Sequence, residues 1–286
     1  MPGIFGSQAA FKRHYDGNKD PLALPRLARR VTPFMLRRTK KQVASELPPR
    51  IEEDILVELE PAQQKLYDAE LKRARQMLLD IKTNRDFDAQ RFHILTSLLR
   101  LRQICCHPAL LGEKFDKDPS AKFEALFEHI EPILAEGDKV LVFSQFVTLL
   151  DLLSKELDKR GLPHLTITGQ TENRQTLVDK FQSDGGPSIF LLSLKAAGTG
   201  LNLTAASYVI LFDPWWNPAV EAQAIDRTHR IGQSNQVVAY RLLAQNTVEQ
   251  KIRLLQKEKA ALAAAIVQEE SLNTVLNLDD LRHILA

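Results

Sequence analysis

Apolar residues between positions 61 and 106 recur every three or four residues, the spacing that places them on one face of an α-helix. The first predicted helix begins at Pro61 and carries this face on Tyr67, Leu71, Ala74, Leu78 and Ile81. A second predicted helix covers residues 89–106, and Pro108 marks its end. Together they predict a helical hairpin whose leucines form a core.

From about Pro119 onward, short apolar runs alternate with amphipathic helices. The predicted strands cover residues 140–143, 165–168, 189–192, 208–212 and 237–243, and the predicted helices cover 147–160, 172–182 and 218–229. Nearly continuous apolar runs of this kind indicate a parallel sheet with helices on both faces. A further strand is predicted at 51–59, after a proline pair that stops any preceding helix. Such sheets bind ligands at the carboxyl ends of their strands.

The composition predicts a folded chain and leaves its partners open. The 286 residues are 44% hydrophobic and 26% charged, which is typical of globular proteins and argues against disorder. The net charge is only +2, so a nucleic-acid partner has to be argued from local clusters. One cluster between residues 24 and 43 has seven basic residues and no acid: Arg26, Arg29, Arg30, Arg37, Arg38, Lys40 and Lys41. Spacing alone leaves a solvated cationic face equally open.

Two adjacent cysteines, Cys105 and Cys106, do not form a disulfide framework and lack metal-ligand spacing. Even with the neighbouring His107, we expect no metal site here. No apolar run reaches the length of a membrane span, and no signal peptide opens the chain. We therefore expect a soluble intracellular protein with no membrane partner.

Two predicted loops carry residues suited to binding phosphate or a base. The loop after the 189–192 strand has two glycines that allow close backbone approach, and its polar residues are Ser193, Lys195, Thr199, Asn202 and Thr204. Such a loop is, by itself, more often just a tight turn. The next loop holds Trp215 and Trp216, for which stacking on a base and packing beneath the loop both remain open.

The predicted helix at 218–229 carries a polar stripe. Asn217 and Pro218 have the character of an N-cap and a first-turn proline, and Gly232 fits a C-terminal cap. The stripe consists of Gln223, Asp226, Arg227 and Arg230, spaced to share one helical face. It is compatible with ordinary surface, and also with two guanidiniums that meet a triphosphate at the edge of the sheet.

Four stretches, taken in order, resemble successive C-terminal helicase motifs of the Swi/Snf family, which are double-stranded DNA translocases of helicase superfamily two. They are Val140-Leu-Val-Phe-Ser-Gln-Phe146, Leu192-Ser-Leu-Lys-Ala-Ala-Gly-Thr-Gly-Leu-Asn-Leu203, Asp213-Pro-Trp-Trp-Asn-Pro218 and Gln223-Ala-Ile-Asp-Arg-Thr-His-Arg-Ile-Gly-Gln233. The resemblance extends to Pro33-Phe-Met-Leu-Arg-Arg-Thr-Lys40 with Glu46-Leu-Pro-Pro49, to Leu101-Arg-Gln-Ile-Cys-Cys-His-Pro108 and to Thr247-Val-Glu-Gln-Lys-Ile252. It therefore covers nearly the whole chain.

The resemblance implies an α/β fold: a RecA-like lobe with a central, mostly parallel sheet flanked by helices. An inserted helical hairpin and helical segments at both ends complete it. The expected divisions are a basic inter-lobe linker at 1–50, the first strand and helical protrusion at 51–118, the C-terminal helicase lobe at 119–246 and bracing helices at 247–286.

The resemblance also implies roles for individual residues. Arg227 and Arg230 look like the two arginines of the last motif, and Arg230 is expected to reach the γ-phosphate of ATP. Gln223 and Asp226 would order that face, and Gly200 would lie at the interface between lobes. The residues expected to face the DNA backbone are Ser144, Gln145, Ser193, Lys195 and Trp215. Thr168, Gly169 and Arg174 match a further backbone-contacting motif more loosely, because the family commonly has an Asp before this Gly.

The chain has no Gly-Lys pair for a phosphate loop and no Asp-Glu pair for a magnesium-binding box. We therefore expect part of a longer enzyme that is inactive alone, with ATP and Mg²⁺ held mainly by an N-terminal motor lobe. Expected partners are that lobe, double-stranded DNA through its phosphates, and a DNA-bound protein target. The location would be cytoplasmic and nucleoid-associated in a bacterium and nuclear in a eukaryote. An unwinding superfamily-two helicase and a non-catalytic DNA- or protein-binding module are the alternatives.

Overall fold

A computed structural model describes residues 11, 23–31, 47–79, 81, 84–197, 200–263 and 278–285. The chain divides into two compact units, Met1–Glu46 and Leu47–Ala286. In the first unit, helix α1 (Ala23–Val31) exposes Arg26, Arg29 and Arg30. The remaining members of the predicted basic cluster, at positions 37–41, lie outside the described residues, so both interpretations of that cluster stay open.

The second unit is built around a six-stranded sheet in which every neighbouring pair is parallel. The strands are β1 (Ile51–Val57), β2 (Val140–Ser144), β3 (His164–Ile167), β4 (Ile189–Ser193), β5 (Tyr208–Leu211) and β6 (Val238–Ala244). Their order across the sheet is β1-β6-β5-β2-β4-β3. This confirms the predicted fold class, and it places β1, which we grouped with the hairpin, in the same sheet as the other strands.

Helices cover both faces of the sheet and form the hairpin. They are α2 (Pro61–Leu79), α3 (Asn84–Cys106), α4 (Ala121–Ala135), α5 (Val147–Lys159), α6 (Arg174–Gln182), α7 (Leu194–Ala197), α8 (Pro218–Ile225), α9 (Val248–Ala263) and α10 (Leu278–Leu285). Two short 3₁₀ turns, Pro108–Leu111 and Glu113–Phe115, follow the hairpin. Among the described helices, none combines the length and the apolar character needed to cross a membrane.

Alternate residues of the central strands bury into different cores, as the period of two along a strand requires. Leu141 and Phe143 of β2 pack into a cluster on one face, whereas Val140 and Val142 pack into a cluster on the other. A third cluster joins the hairpin to α9 and α10. The central sheet is therefore buried on both faces, which explains its nearly continuous apolar strands.

Candidate functional site

The structure brings all of the positions expected to face DNA to the carboxyl edge of the sheet. The strands β5, β2, β4 and β3 are adjacent, so the loops that follow them lie side by side. Ser144 and Ser193 are the last residues of β2 and β4, Gln145 follows β2 directly, and Lys195 lies in α7, which follows β4. Thr168 and Gly169 follow β3, and Trp215 lies in the loop after β5. Arg174 begins α6 nearby. This edge is where ligands bind in open parallel sheets.

Asp213 fastens the loop after β2 to the loop after β5. Its side chain is fully buried and accepts hydrogen bonds from the Ser144 hydroxyl at 2.5 Å and the Gln145 backbone N–H at 3.2 Å. The Gln145 amide donates to its second oxygen. Ser144 itself is buried, so in this conformation its hydroxyl holds the two loops together. Contact between that hydroxyl and DNA stays a prediction.

Arg102 ties the helical hairpin to the same two loops. Its guanidinium lies 3.6 Å from the Asp213 carboxylate, donates to the Gln145 side chain at 3.1 Å and donates to the Pro214 carbonyl. The group also lies over the Trp216 ring, 5.1 Å from its centroid. Sequence reasoning assigned Arg102 no role. The one sequence feature that could have suggested a role for Arg102 is a charged residue near the largely apolar C-terminal end of α3.

The two tryptophans pack in different directions from the loop after β5. Trp215 packs against the sheet cluster that contains Leu141, whereas Trp216 packs against the hairpin cluster. Both side chains are half-buried. Packing beneath the loop therefore accounts for part of each ring, and stacking of Trp215 on DNA stays a prediction.

Around β3 and β4, the predicted DNA-facing residues differ in whether their polar groups are already hydrogen-bonded within the protein or exposed to solvent. The Arg174 guanidinium donates to the carbonyls of Thr171, Thr168 and Gly169 at 2.9–3.3 Å, so it closes the loop after β3. The Ser193 hydroxyl is buried and accepts a hydrogen bond from the Ala196 backbone. Lys195 is exposed, which leaves its ammonium available for a phosphate.

Helix α8 ends at Ile225, four residues before the end that the sequence predicts. The N-cap prediction is confirmed, because the Asn217 side chain accepts a hydrogen bond from Ala219 N at 2.9 Å and Pro218 follows. At the other end, the Thr228 hydroxyl donates to the Ile225 carbonyl at 2.8 Å, and the backbone continues in i→i+3 turns. The predicted shared helical face is therefore wrong. Arg227 and Arg230 lie in turns beyond the helix.

The turns at 226–233 pack against the loop after β4. Arg230 donates to the Asp226 carbonyl at 3.2 Å and to the Gly200 carbonyl at 3.3 Å. Leu203 N donates to the Arg227 carbonyl at 3.0 Å. Gly200 has φ = +78°, a left-handed conformation that glycine adopts without strain. The two arginines and the predicted interface glycine are thus held together at one place.

Arg227 is buried, yet its guanidinium makes no hydrogen bond to a described residue, and its Nε is enclosed without a partner. Burial lowers the pKa of Arg227 from its ordinary value, and the nearby positive charge of Arg230 lowers it further. An anion between the two guanidiniums would offset both effects, because it supplies acceptors and opposite charge. The arrangement fits a phosphate group.

The other predicted members of this face are arranged around the turn. Gln223 is exposed on α8, and Asp226 is the C-cap residue of that helix. The Asp226 carboxylate accepts from the Arg50 guanidinium at 3.2 Å. The His229 ring contacts the Pro48 carbonyl at 2.8 Å. Residues 48–50 therefore lie against the arginine-bearing turn.

A network of buried charges behind α8 was not found from the sequence. It includes Glu221 on α8 and Arg241 on β6, which are 1% and 4% exposed. Glu52 on β1 joins them, 2.5 Å from Arg241. A single arginine within the largely apolar strand Val238–Ala244 was the indication that could have located it.

The cysteines belong to two packed clusters, Cys105 to the one that joins the hairpin to α9 and α10, and Cys106 to the one that contains α4. Cys105 and Cys106 are free and fully buried, and burial raises the pKa of both thiols. The His107 side chain caps the following 3₁₀ turn by accepting from Ala109 N at 3.1 Å. Within the described parts of the chain, no group of three or more His, Cys, Asp or Glu is placed to hold a metal ion.

Two family models match successive parts of the chain. The model described as an SNF2-related domain matches residues 1–110, and the helicase conserved C-terminal domain matches residues 121–232. The second match contains β2 to β5, α8 and both arginines of the turn. The fold and the family matches thus define a RecA-like member of the helicase and translocase motor proteins.

Solved structures and curated relatives agree with this assignment. The C-terminal domain of the Sulfolobus solfataricus SWI2/SNF2 ATPase is 33% identical, with a TM-score of 0.64, and the match covers 82% of this chain and 98% of that one. The core of the same ATPase in complex with double-stranded DNA is 34% identical, with a TM-score of 0.68, covering 99% of this chain and 61% of that one. An uncharacterized ATP-dependent helicase of Mycoplasma pneumoniae is 38% identical over 94% of this chain.

The chain belongs to the Swi/Snf family of superfamily-two helicase-like proteins. It spans only part of the length of the curated relatives it matches, 26% of the Mycoplasma pneumoniae protein and 13% of an Arabidopsis thaliana relative.

Proposed function

We propose that this chain is the C-terminal motor lobe of an ATP-dependent translocase on double-stranded DNA. Its ATPase activity would require an N-terminal lobe, and the lobe described here alone would be inactive. The observation that carries the proposal is the pair Arg227 and Arg230. They lie close together in the turns that follow α8, against the chain segment of Gly200 and Leu203, and the buried guanidinium of Arg227 has unused hydrogen-bonding capacity.

Within this proposal, ATP is held mainly by the N-terminal lobe together with Mg²⁺, and it faces the 226–233 turn when the lobes close. Arg230 would approach the γ-phosphate, and Arg227 would support it. Planar guanidiniums stabilise the negative charge on a transferring phosphoryl group, which contributes roughly 10³- to 10⁵-fold in rate in other nucleotide hydrolases. Among the described residues, Arg230 donates only to backbone carbonyls, which it can exchange for phosphate oxygens.

Duplex DNA is the proposed track, and the loops at the same edge would contact its backbone. The Sulfolobus solfataricus core solved with double-stranded DNA supports this choice, because this chain matches it over 99% of its own length. Contacts to phosphate and sugar imply binding that tolerates any sequence and weakens with salt. A DNA-bound protein is the proposed target of the motion. The protein would work in the nucleus of a eukaryote or at the nucleoid of a bacterium.

The first experiment measures steady-state ATP hydrolysis by the protein joined to its N-terminal lobe, with and without duplex DNA. We expect DNA to stimulate hydrolysis, and we expect Arg230→Ala to lower the stimulated rate by roughly 10³-fold or more. The control is Arg73→Ala, which removes an exposed arginine from the hairpin and should leave the rate unchanged. Normal hydrolysis by Arg230→Ala would overturn the proposal and favour a non-catalytic binding module.

A second measurement separates translocation from unwinding. The same protein is given a duplex that carries a third strand, and a matched forked duplex, in the presence of ATP. We expect displacement of the third strand and no separation of the duplex strands. Efficient separation of the fork would instead assign the chain to the unwinding helicases of the superfamily.

A further inference from the structure

Helix α8 physically joins the two halves of the proposed site. Its first turn follows the Trp215 loop, and its C-cap, Asp226, begins the turn that carries the two arginines. With 8 residues, the helix is about 12 Å long. Any shift of this short helix would move the DNA-facing loop and the phosphate-facing turn together. The contacts that hold α8 in place therefore determine the positions of both.

Glu221 fixes the N-terminal end of α8. One carboxylate oxygen accepts from Trp215 N and from the Gln256 side chain, both at 2.8 Å. The other oxygen accepts from Arg241 Nε at 2.9 Å. Glu221 is 1% exposed, so these partners replace the water that it lost on burial.

Arg241 carries the connection to the edge strand β1. Its Nη2 lies 2.5 Å from the Glu52 carboxylate, and its Nη1 lies 3.7 Å from Asp54. Burial alone would lower the pKa of Arg241, but the charges and hydrogen bonds of Glu221 and Glu52 raise it above its ordinary value. Arg241 is therefore a fixed positive charge between α8 and β1.

Arg50 fixes the C-terminal end of α8. Its two terminal nitrogens contact different carboxylates, Glu52 at 2.6 Å and Asp226 at 3.2 Å. Charges therefore alternate without a gap from Asp226 through Arg50, Glu52 and Arg241 to Glu221. Each link in the series is 3.2 Å or shorter.

We propose that Arg50 and Arg241 are positioning residues that clamp both ends of α8 to β1, and so couple DNA contact at the Trp215 loop to the Arg227–Arg230 turn. Neither residue is placed to touch substrate, because each is engaged by carboxylates of the protein itself. The inference rests on the proposed function. It adds that loss of the clamp lowers the response of ATP hydrolysis to DNA.

Arg50→Ala is the informative variant, because its side chain is 32% exposed and its removal leaves Glu221 and Arg241 paired. Arg50→Lys retains the charge but not the two-pronged geometry, so it should restore part of the effect. Lys257→Ala is the matched control. This substitution removes the 2.9 Å ion pair between Lys257 and Asp54 on β1. Within the described part of the chain, Lys257 forms no hydrogen bond or ion pair with α8.

The experiment measures kcat and KM for ATP with and without duplex DNA, on the protein joined to its N-terminal lobe. We expect Arg50→Ala to lower the DNA stimulation of kcat by about ten-fold, with KM for ATP and the thermal unfolding midpoint nearly unchanged. Arg50→Lys should fall between this variant and the original. Backbone hydrogen exchange in this chain should quicken at residues 226–230 in Arg50→Ala and not in Lys257→Ala.

The same assay distinguishes a failure of the clamp from a failure of the proposed motor function. If Arg230→Ala hydrolyses ATP normally in the same assay, the proposed function fails. If Arg230→Ala is inactive while Arg50→Ala responds to DNA as fully as Lys257→Ala does, only the clamp is overturned. A parallel loss of basal rate, stimulation and unfolding midpoint in Arg50→Ala would also overturn it, since that pattern reports a general loss of structure.

Discussion

Among the described residues, buried charged side chains in this lobe pair with a side chain of opposite charge, whereas Arg227 does not. Lys122 pairs with Glu249 at 2.6 Å, and Arg241 pairs with Glu221 at 2.9 Å. A buried charge with a partner repays part of its desolvation cost, whereas one without a partner leaves that cost uncompensated. Arg227 forms no ion pair within the described chain, which is the expected condition of a residue whose partner is an anionic ligand.

The Lys122–Glu249 pair gives the first stability prediction. Both side chains are fully buried, and Lys122 also donates to the Phe212 carbonyl at 2.8 Å. Lys122→Met leaves the Glu249 carboxylate buried without its counter-charge, so the free energy of unfolding should fall by about 3–5 kcal/mol. Urea denaturation measures the change.

The control for that measurement is Lys155→Met on the exposed face of α5, which should change the free energy of unfolding by less than about 0.5 kcal/mol. A loss below about 1 kcal/mol for Lys122→Met would show that the pair contributes little.

At the scale of elements, the strands were predictable within two residues, because strands buried on both faces are continuous apolar runs. The end of α8 was not predictable from the pattern. The Thr228 hydroxyl donates to the Ile225 carbonyl, and Leu203 N donates to the Arg227 carbonyl just beyond the helix. The neighbours of β1 could not be predicted either. Strand order depends on long-range packing, so the pairing of β1 with β6 has no local pattern in the sequence.

The site shows the same division. The predicted parallel sheet, which the structure confirms, implied that the loops after its strands lie at one edge, because parallel strands end on the same side. The pattern could not show that the Ser144 and Ser193 hydroxyls face inward, since the last residue of a strand has two possible orientations. Nor could it show the contact between Arg50 and Asp226, which are 176 positions apart.

Strand β1 carries a pH prediction. Burial would raise the pKa of Glu52, but the hydrogen bond and charge of Arg241 outweigh it, so the pKa is lowered. The pKa of Asp54 is lowered in the same way, with burial opposed by Arg253 and Lys257. A carboxylate whose pKa is lowered in the folded state stabilises the fold at pH values above its ordinary pKa. This stabilisation is lost as the pH falls through the lowered pKa.

We therefore expect the free energy of unfolding to fall as the pH drops below the ordinary values of 4.5 for Glu52 and 3.8 for Asp54. Glu52→Gln should lower stability at neutral pH and flatten this dependence. The exposed neighbour Glu58→Gln is the control and should keep the original slope. A wild-type slope in Glu52→Gln, measured by denaturation at several pH values, would contradict the assignment.

At the scale of the whole molecule, one short helix, α8, links the two parts of the proposed site. Arg227 and Arg230 follow α8, and the Trp215 loop precedes it. Arg230 is bonded to Gly200 after β4, and Asp213 at the start of the Trp215 loop is bonded to Ser144 and Gln145 at the end of β2. Under the proposed function, a second lobe supplies the rest of the nucleotide site, and closure over a nucleotide would be converted into a shift of backbone contacts along DNA. The central claim is that this lobe contributes the arginines of that shared site.

Single-turnover cleavage of ATP tests this claim most directly, because it separates chemistry from binding. The joined protein is saturated with ATP and duplex DNA, and formation of phosphate is followed in the original and in Arg230→Ala. We predict that cleavage in the variant slows by roughly 10³-fold or more, while the affinity for ATP changes by less than about ten-fold. Cleavage at the original rate in Arg230→Ala would contradict the account.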